Sequence, residues 1–218
     1  MKDRDIHSII RILRREAPKW DTPIVTLMAE TYESPFRVLI SCILSLRTQD
    51  STTAKASHRL FAAADTPQAM LKLSVKKIEK LIYPVGFYKT KAGNILDICR
   101  ALIARYAGKV PDDIDELLKL KGVGRKTANL VVTLGYHKPG ICVDTHVHRI
   151  SNRWGYIKTK TPEKTEFTLR EKLPKQYWIE YNDLLVSFGQ HLCRPISPVC
   201  SDCPVKKYCL QIGVTTRR

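Results

Sequence analysis

Apolar positions recur along most of the chain at intervals of three and four residues, the spacing of helices that bury one face. The densest run, Phe36-Arg37-Val38-Leu39-Ile40-Ser41-Cys42-Ile43-Leu44-Ser45-Leu46, follows Pro35 and is apolar almost all round. It predicts a buried central helix. Further helices are predicted over 52–64, 67–72, 74–83 and 88–107; Asp50 or Ser51 caps the first, Gly86 separates the last two and Gly108 ends them. Asp113 with Glu116 has the spacing of a capping box for a short helix through Leu120. Beyond Gly122-Val123-Gly124 the pattern predicts helices over 125–134 and 144–154, one begun by Thr161-Pro162-Glu163, and a last long one over 177–191. No alternating strand pattern, low-complexity segment or flexible linker stands out. The predicted class is all-α.

Charge adds a partner to this picture. The 218 residues suffice for one large domain or two small lobes, and carry 37 Lys and Arg against 21 Asp and Glu, a net charge of +16. Basic residues number 8 against 7 acidic in 1–50, 17 against 8 in 51–150, and 12 against 6 in 151–218. The excess therefore lies after residue 50. A pI near 9.6 in a chain of folded composition is the electrostatic footprint of a nucleic-acid binder, suggestive by itself and no more.

Cysteine usage bounds the compartment. Residues 1–15 are charged and polar without an apolar core, so no leader is predicted there. No run approaches the roughly 18 apolar residues that span a bilayer. Cys42, Cys99 and Cys142 stand singly in apolar stretches and are expected as small buried hydrophobes. Lone thiols of this kind predict a soluble protein of a reducing compartment, the cytoplasm, with no membrane partner. The other four are grouped as Cys193-x6-Cys200-x2-Cys203-x5-Cys209. A soft four-thiolate set selects zinc or an iron–sulphur cluster. Structural zinc usually takes two close pairs a dozen or more residues apart. One pair bracketed by single cysteines favours a cluster, with zinc the alternative and disulfides a weaker third.

The most specific internal motif is Leu120-Lys121-Gly122-Val123-Gly124-Arg125-Lys126-Thr127-Ala128-Asn129. It predicts two short helices joined by a glycine hairpin whose outward amides can bind phosphate without base preference. An isolated Gly-Val-Gly would be an ordinary connection; a basic chain with Arg125-Lys126 next in line favours a clamp on a DNA backbone. Downstream lies Val143-Asp144-Thr145-His146-Val147-His148-Arg149. Asp144 there reads first as a helix N-cap. His146 and His148, two apart, do not share a helix face and are expected to pack or make contacts rather than bind metal.

Taken in order, the hairpin with its lysine, the Val-Asp-Thr-His segment and the cysteine loop resemble the endonuclease III family of helix-hairpin-helix DNA glycosylases, over essentially the whole chain. The resemblance implies a two-lobed all-α fold with damaged DNA bound between the lobes. Residues 28–138 would form a six-helix barrel, with the helix-hairpin-helix at about 113–134. Residues 1–27 with 139–218 would form the second lobe and hold a [4Fe–4S] cluster on Cys193, Cys200, Cys203 and Cys209. It further implies a monomeric, bifunctional DNA glycosylase and abasic-site lyase acting on oxidised pyrimidines in double-stranded DNA, in base excision repair. Lys126 would be the nucleophile, its pKa lowered by the helix N-terminus, Arg125 and desolvation, and Asp144 would assist it. Gly122, Gly124, Arg125 and Arg194 would meet the backbone.

By the same resemblance, residues 46–50 and 85–88 would supply wedges that fill the gap left by a flipped base. Arg47 stands where the family often has glutamine, and Phe87 is as readily a core aromatic as a wedge. Lys121 replaces a common proline. Between Cys193 and Cys200 only Arg194 is basic, with Lys206 and Lys207 either compensating or simply solvated. Two other readings compete: a mismatch glycosylase without lyase activity, and a non-catalytic DNA-binding protein. Relatives of the first kind lack the hairpin lysine, and the second kind needs neither Lys126 nor Asp144.

Overall fold

The computed structural model describes residues 2–20, 23, 25–27 and 34–218. The expected start of the barrel at residue 28 lies outside these. Among the described residues every regular element is helical. The chain divides into two compact units, Met1–Pro23 with Pro139–Arg218, and Ile24–Lys138.

The Ile24–Lys138 unit is built on α1, Pro35–Ser45. Ser34 caps it, its hydroxyl accepting the Arg37 N–H, and Pro35 starts the first turn. Six apolar side chains from Phe36 to Leu44, with Cys42, are buried, each contributing about 1.5–3 kcal/mol over exposure for the larger ones. Around it pack α2 (Asp50–Ala63), α5 (Tyr88–Tyr106) and α7 (Arg125–Leu130). The shorter α3 (Pro67–Leu71) and α4 (Val75–Ile82) pack on α5, and α6 (Ile114–Leu118) on α7. Cys42 and Cys99 are core residues as expected.

Three local expectations are corrected. Helix α2 begins at Asp50 after Gln49, without a side-chain cap, so Asp50 complements the first turn rather than capping it. Asp113 does accept the N–H groups of Asp115 and Glu116, but the Glu116 carboxylate turns away to Lys119 (2.6 Å) and Tyr106 (2.9 Å). The stretch over 125–134 is not one regular helix: α7 passes at Val131 into a π-helical turn through Gly135. A Cβ on Gly135 would lie 3.2 Å from Pro35 Cα, so the wide turn ends against the start of α1.

The second unit carries α8 (Thr145–Arg153), α9 (Pro162–Lys172) and α10 (Trp178–His191). It also carries Asp5–Glu16, the N-terminal helix αN. The segment lacking a continuous apolar core is amphipathic. Ile6, Ile9, Ile10 and Leu13, at i, i+3, i+4 and i+7, are buried among Val147, Ile150, Trp154, Tyr181 and Phe188. Cys142 is buried here too.

Candidate active site and cysteine loop

The two hairpin glycines have different reasons to be glycine. Gly122 takes a φ of +79°, and a Cβ there would lie 3.0 Å from Asn94 Nδ2. Gly124 has a φ of −101°, open to any residue, and a Cβ would meet nothing within 4 Å. The fold accounts for Gly122 but not for Gly124, whose bare backbone suits the approach of another molecule. Buried Val123 anchors the turn, and Gly124 starts α7 by accepting the Ala128 N–H at 2.9 Å.

Arg125 and Lys126 are the first two residues of α7. Thr127 to Leu130 are buried and pin the helix, leaving Lys126 exposed and Arg125 half-buried. Lys126 acts on Cys42 of α1: burial pushes that thiol up to about 12, and the lysine charge pulls against the shift. Lys121 is committed within the fold, its Nζ 2.6 Å from Asp97 Oδ2, which holds the Asp97 carboxyl below its ordinary range.

Elsewhere in this unit, Arg47 and Phe87 come together. The Arg47 guanidinium lies 5.6 Å from the Phe87 ring centroid. Phe87 is 62% exposed, which overturns its reading as a core aromatic. Both residues hold positive φ, 52° and 58°, at a cost of roughly 1–2 kcal/mol each for side chains other than glycine. Beneath them Lys91, a residue sequence reasoning passed over, is buried. Its position on the apolar stripe of Ala92, Ile95, Ile98 and Leu102 was the available signal.

In the other unit, Asp144 caps α8, its Oδ1 accepting the Val147 N–H at 2.8 Å. The sequence expectation of a cap is met, and the second carboxylate oxygen is left for other work. His148 Nδ1 bonds Thr165 Oγ1 at 2.7 Å and His146 Nδ1 bonds Arg149, as contact residues rather than a metal pair. Burial holds His148 below its usual range.

The four cysteines line one cavity together with Arg153, Trp154 and Phe188. Arg153, itself buried, donates to Cys193 Sγ (3.3 Å) and to the carbonyls of Arg194 (2.8 Å) and Pro195 (3.2 Å). The Gln211 N–H donates to Cys209 Sγ at 3.3 Å. Burial pushes the Cys203 thiol up to about 12 and raises Cys193 and Cys209. Sulphurs that accept N–H donors in a buried, protonation-favouring cavity suit thiolates that form on binding a cationic group, with release of protons. Among the described residues, no group of three or more His, Cys, Asp or Glu stands as close as a single metal ion requires. Arg194 is exposed, as are Lys206 and Lys207, the latter's Nζ 4.9 Å from the Tyr208 ring.

A glycine hairpin feeding a helix with an exposed lysine, where every regular element among the described residues is helical, is a helix-hairpin-helix arrangement. Residues 40–175 match the HhH-GPD superfamily base excision DNA repair proteins, and the chain belongs to that family. Endonuclease III of Thermotoga maritima is 50% identical over 175 residues, 80% of this chain and 82% of that one. Endonuclease III-like protein 1 of Mus musculus is 43% identical over 92% of this chain and 69% of its own. A trapped endonuclease III–DNA covalent intermediate, an estranged-adenine complex, superposes with a TM-score of 0.86 at 34% identity, covering 97% of both chains. No helix among the described residues is long and apolar enough to cross a membrane.

Proposed function

We propose that the chain is a bifunctional DNA glycosylase and abasic-site lyase of base excision repair, removing oxidised pyrimidines from duplex DNA. The observation that carries this reading is Lys126, exposed at the second position of α7 behind a glycine hairpin. The target nucleotide leaves the stack, since its C1′ is unreachable within it. The neutral Lys126 amine attacks C1′, the C1′–N bond to the base breaks, and the base departs with the bonding electrons and takes up a proton. Nζ gives up a proton and O4′ takes one as it leaves C1′, so ring opening leaves a Schiff base between Nζ and C1′. A base removes the C2′ proton, the C2′–H electrons move toward the imine, and the C3′–O bond breaks to expel the 3′ phosphate, cutting the strand by β-elimination. Water then hydrolyses the imine. Asp144 uses the oxygen that is not capping α8 to assist proton transfer and to stabilise positive charge developing on the sugar.

Gly122, Gly124 and the first amides of α7 hold the backbone, aided by Arg125 and Arg194. Arg47 and Phe87 fill the space left in the duplex. Cys193, Cys200, Cys203 and Cys209 would hold a [4Fe–4S] cluster, which would tie the C-terminal loop to the end of α10 as a structural anchor. Residues 28–138 serve as the barrel lobe and the remainder as the cluster lobe of a cytoplasmic monomer. An incision assay on a duplex with one thymine glycol separates the alternatives. A nicked strand with a 3′ unsaturated aldehyde supports the reading. Free base with an intact strand would mean a glycosylase alone, and neither product a binding protein.

A further inference from the structure

Lys91 makes three hydrogen bonds from a buried position on α5, where it is 6% exposed. Its Nζ lies 2.8 Å from Leu44 O, 2.6 Å from Leu46 O and 3.2 Å from Thr48 Oγ1. An ammonium has three N–H donors, and all three acceptors lie in the last turn of α1 or just beyond it. Two are carbonyls at the negative end of that helix, which carry no helical partner of their own. Thr48 Oγ1 in turn accepts the Gly86 N–H at 3.2 Å. Gly86 adjoins Phe87, and a Cβ on Gly86 would stand 2.5 Å from Arg47 O. One ammonium therefore joins Leu46 and Thr48, on either side of Arg47, to the turn that presents Phe87. On the far side of that turn, Arg59 Nε of α2 donates to Leu81 O at 2.8 Å.

We infer that Lys91 is a positioning residue for DNA distortion, its buried ammonium locking the Arg47 and Phe87 segments into one rigid wedge. A lysine is rarely enclosed unless paired, and burial lowers the Lys91 pKa to about 8. The three oxygens accept its N–H groups. They also hold Arg47 and Phe87 at positive φ, a strain that persists only where surrounding structure imposes it. Pre-set geometry of this kind spares the enzyme the cost of ordering two loops while it opens a duplex. The inference rests on the wedge reading of Arg47 and Phe87 given above.

The test compares two reactions of the full chain. One is single-turnover excision of thymine glycol from a duplex. The other is borohydride trapping on a single strand carrying an abasic site, where no duplex has to be opened. Lys91→Met should slow the duplex reaction about tenfold to a hundredfold, with the loss confined to duplex. The Arg47→Ala/Phe87→Ala variant should show the same pattern, and adding Lys91→Met to it should change nothing further. Equal losses on both substrates, or additive losses in the triple variant, would overturn the role of Lys91. A duplex defect in Arg47→Ala/Phe87→Ala without one in Lys91→Met would do the same. A duplex reaction indifferent to Arg47→Ala/Phe87→Ala would instead overturn the wedge reading. Should Lys91→Met not fold, Thr48→Val, which removes the hydroxyl that accepts from Nζ and the Gly86 N–H and donates to Leu46 O, must give the duplex-specific loss. Its failure to do so would also overturn the inference.

Discussion

The hairpin and the Arg47–Phe87 edge are both places where the Ile24–Lys138 unit puts its backbone at positive φ, yet they solve the problem in opposite ways. At the hairpin the strained position is Gly122, which adopts φ +79° without a Cβ clash. At the edge the strained positions carry an arginine and a phenylalanine, and a buried lysine holds the segments around them. Glycine at either edge position would be the more stable choice. The difference separates a site where backbone must be bare from one where side chains must be displayed. It is consistent with the phosphate contact proposed for the first and the insertion into the base stack proposed for the second.

The comparison can be broken in four ways, taken from the largest effect down. Lys126→Gln should reduce both base excision and strand cleavage to background while leaving the melting temperature nearly unchanged, since the side chain is exposed. A nicking assay beside a thermal melt checks it. Phe87→Gly should cut duplex excision about tenfold while raising stability by about 1 kcal/mol through relief of positive φ. A variant both more active and more stable would mean that Phe87 is not displayed for function. Gly122→Ala should cost about 1–2 kcal/mol in denaturant unfolding, from its φ and from the approach to Asn94 Nδ2. Gly124→Ala should leave stability within about 0.5 kcal/mol, because a Cβ there meets only open space. It should nevertheless weaken DNA binding in a salt titration. Unaltered binding would remove Gly124 from the interface.

Much of this was legible from residue order. The buried run after Pro35 is α1, the stretches ended by Gly108 and Gly155 end there, and Thr161-Pro162 opens α9 as its cap-and-proline order predicts. The stripe of Ile6, Ile9, Ile10 and Leu13 also has helical spacing, but the charges between them make residues 1–15 read as merely charged and polar. The edge was harder to see. Positive φ is signalled by glycine, and Arg47 and Phe87 are not glycine. Their conformation is imposed by Lys91 and Gly86, some forty residues along the chain from Arg47. A lysine on an apolar stripe looks like an interruption of the core until its three acceptors are known. Likewise the capping role of Asp144 follows from local sequence, whereas the catalytic role proposed for it requires chemistry that lies outside its own helix.

Lys126 as nucleophile is the claim on which the rest depends, and the most direct measurement is borohydride trapping followed by peptide mass mapping. The full chain would be incubated with a duplex bearing one thymine glycol, reduced, digested and sequenced by mass. The account predicts one covalent protein–DNA adduct, its sugar remnant on Nζ of Lys126, and no adduct from Lys126→Gln. An adduct mapped to another amine, or trapping that survives Lys126→Gln, would contradict it.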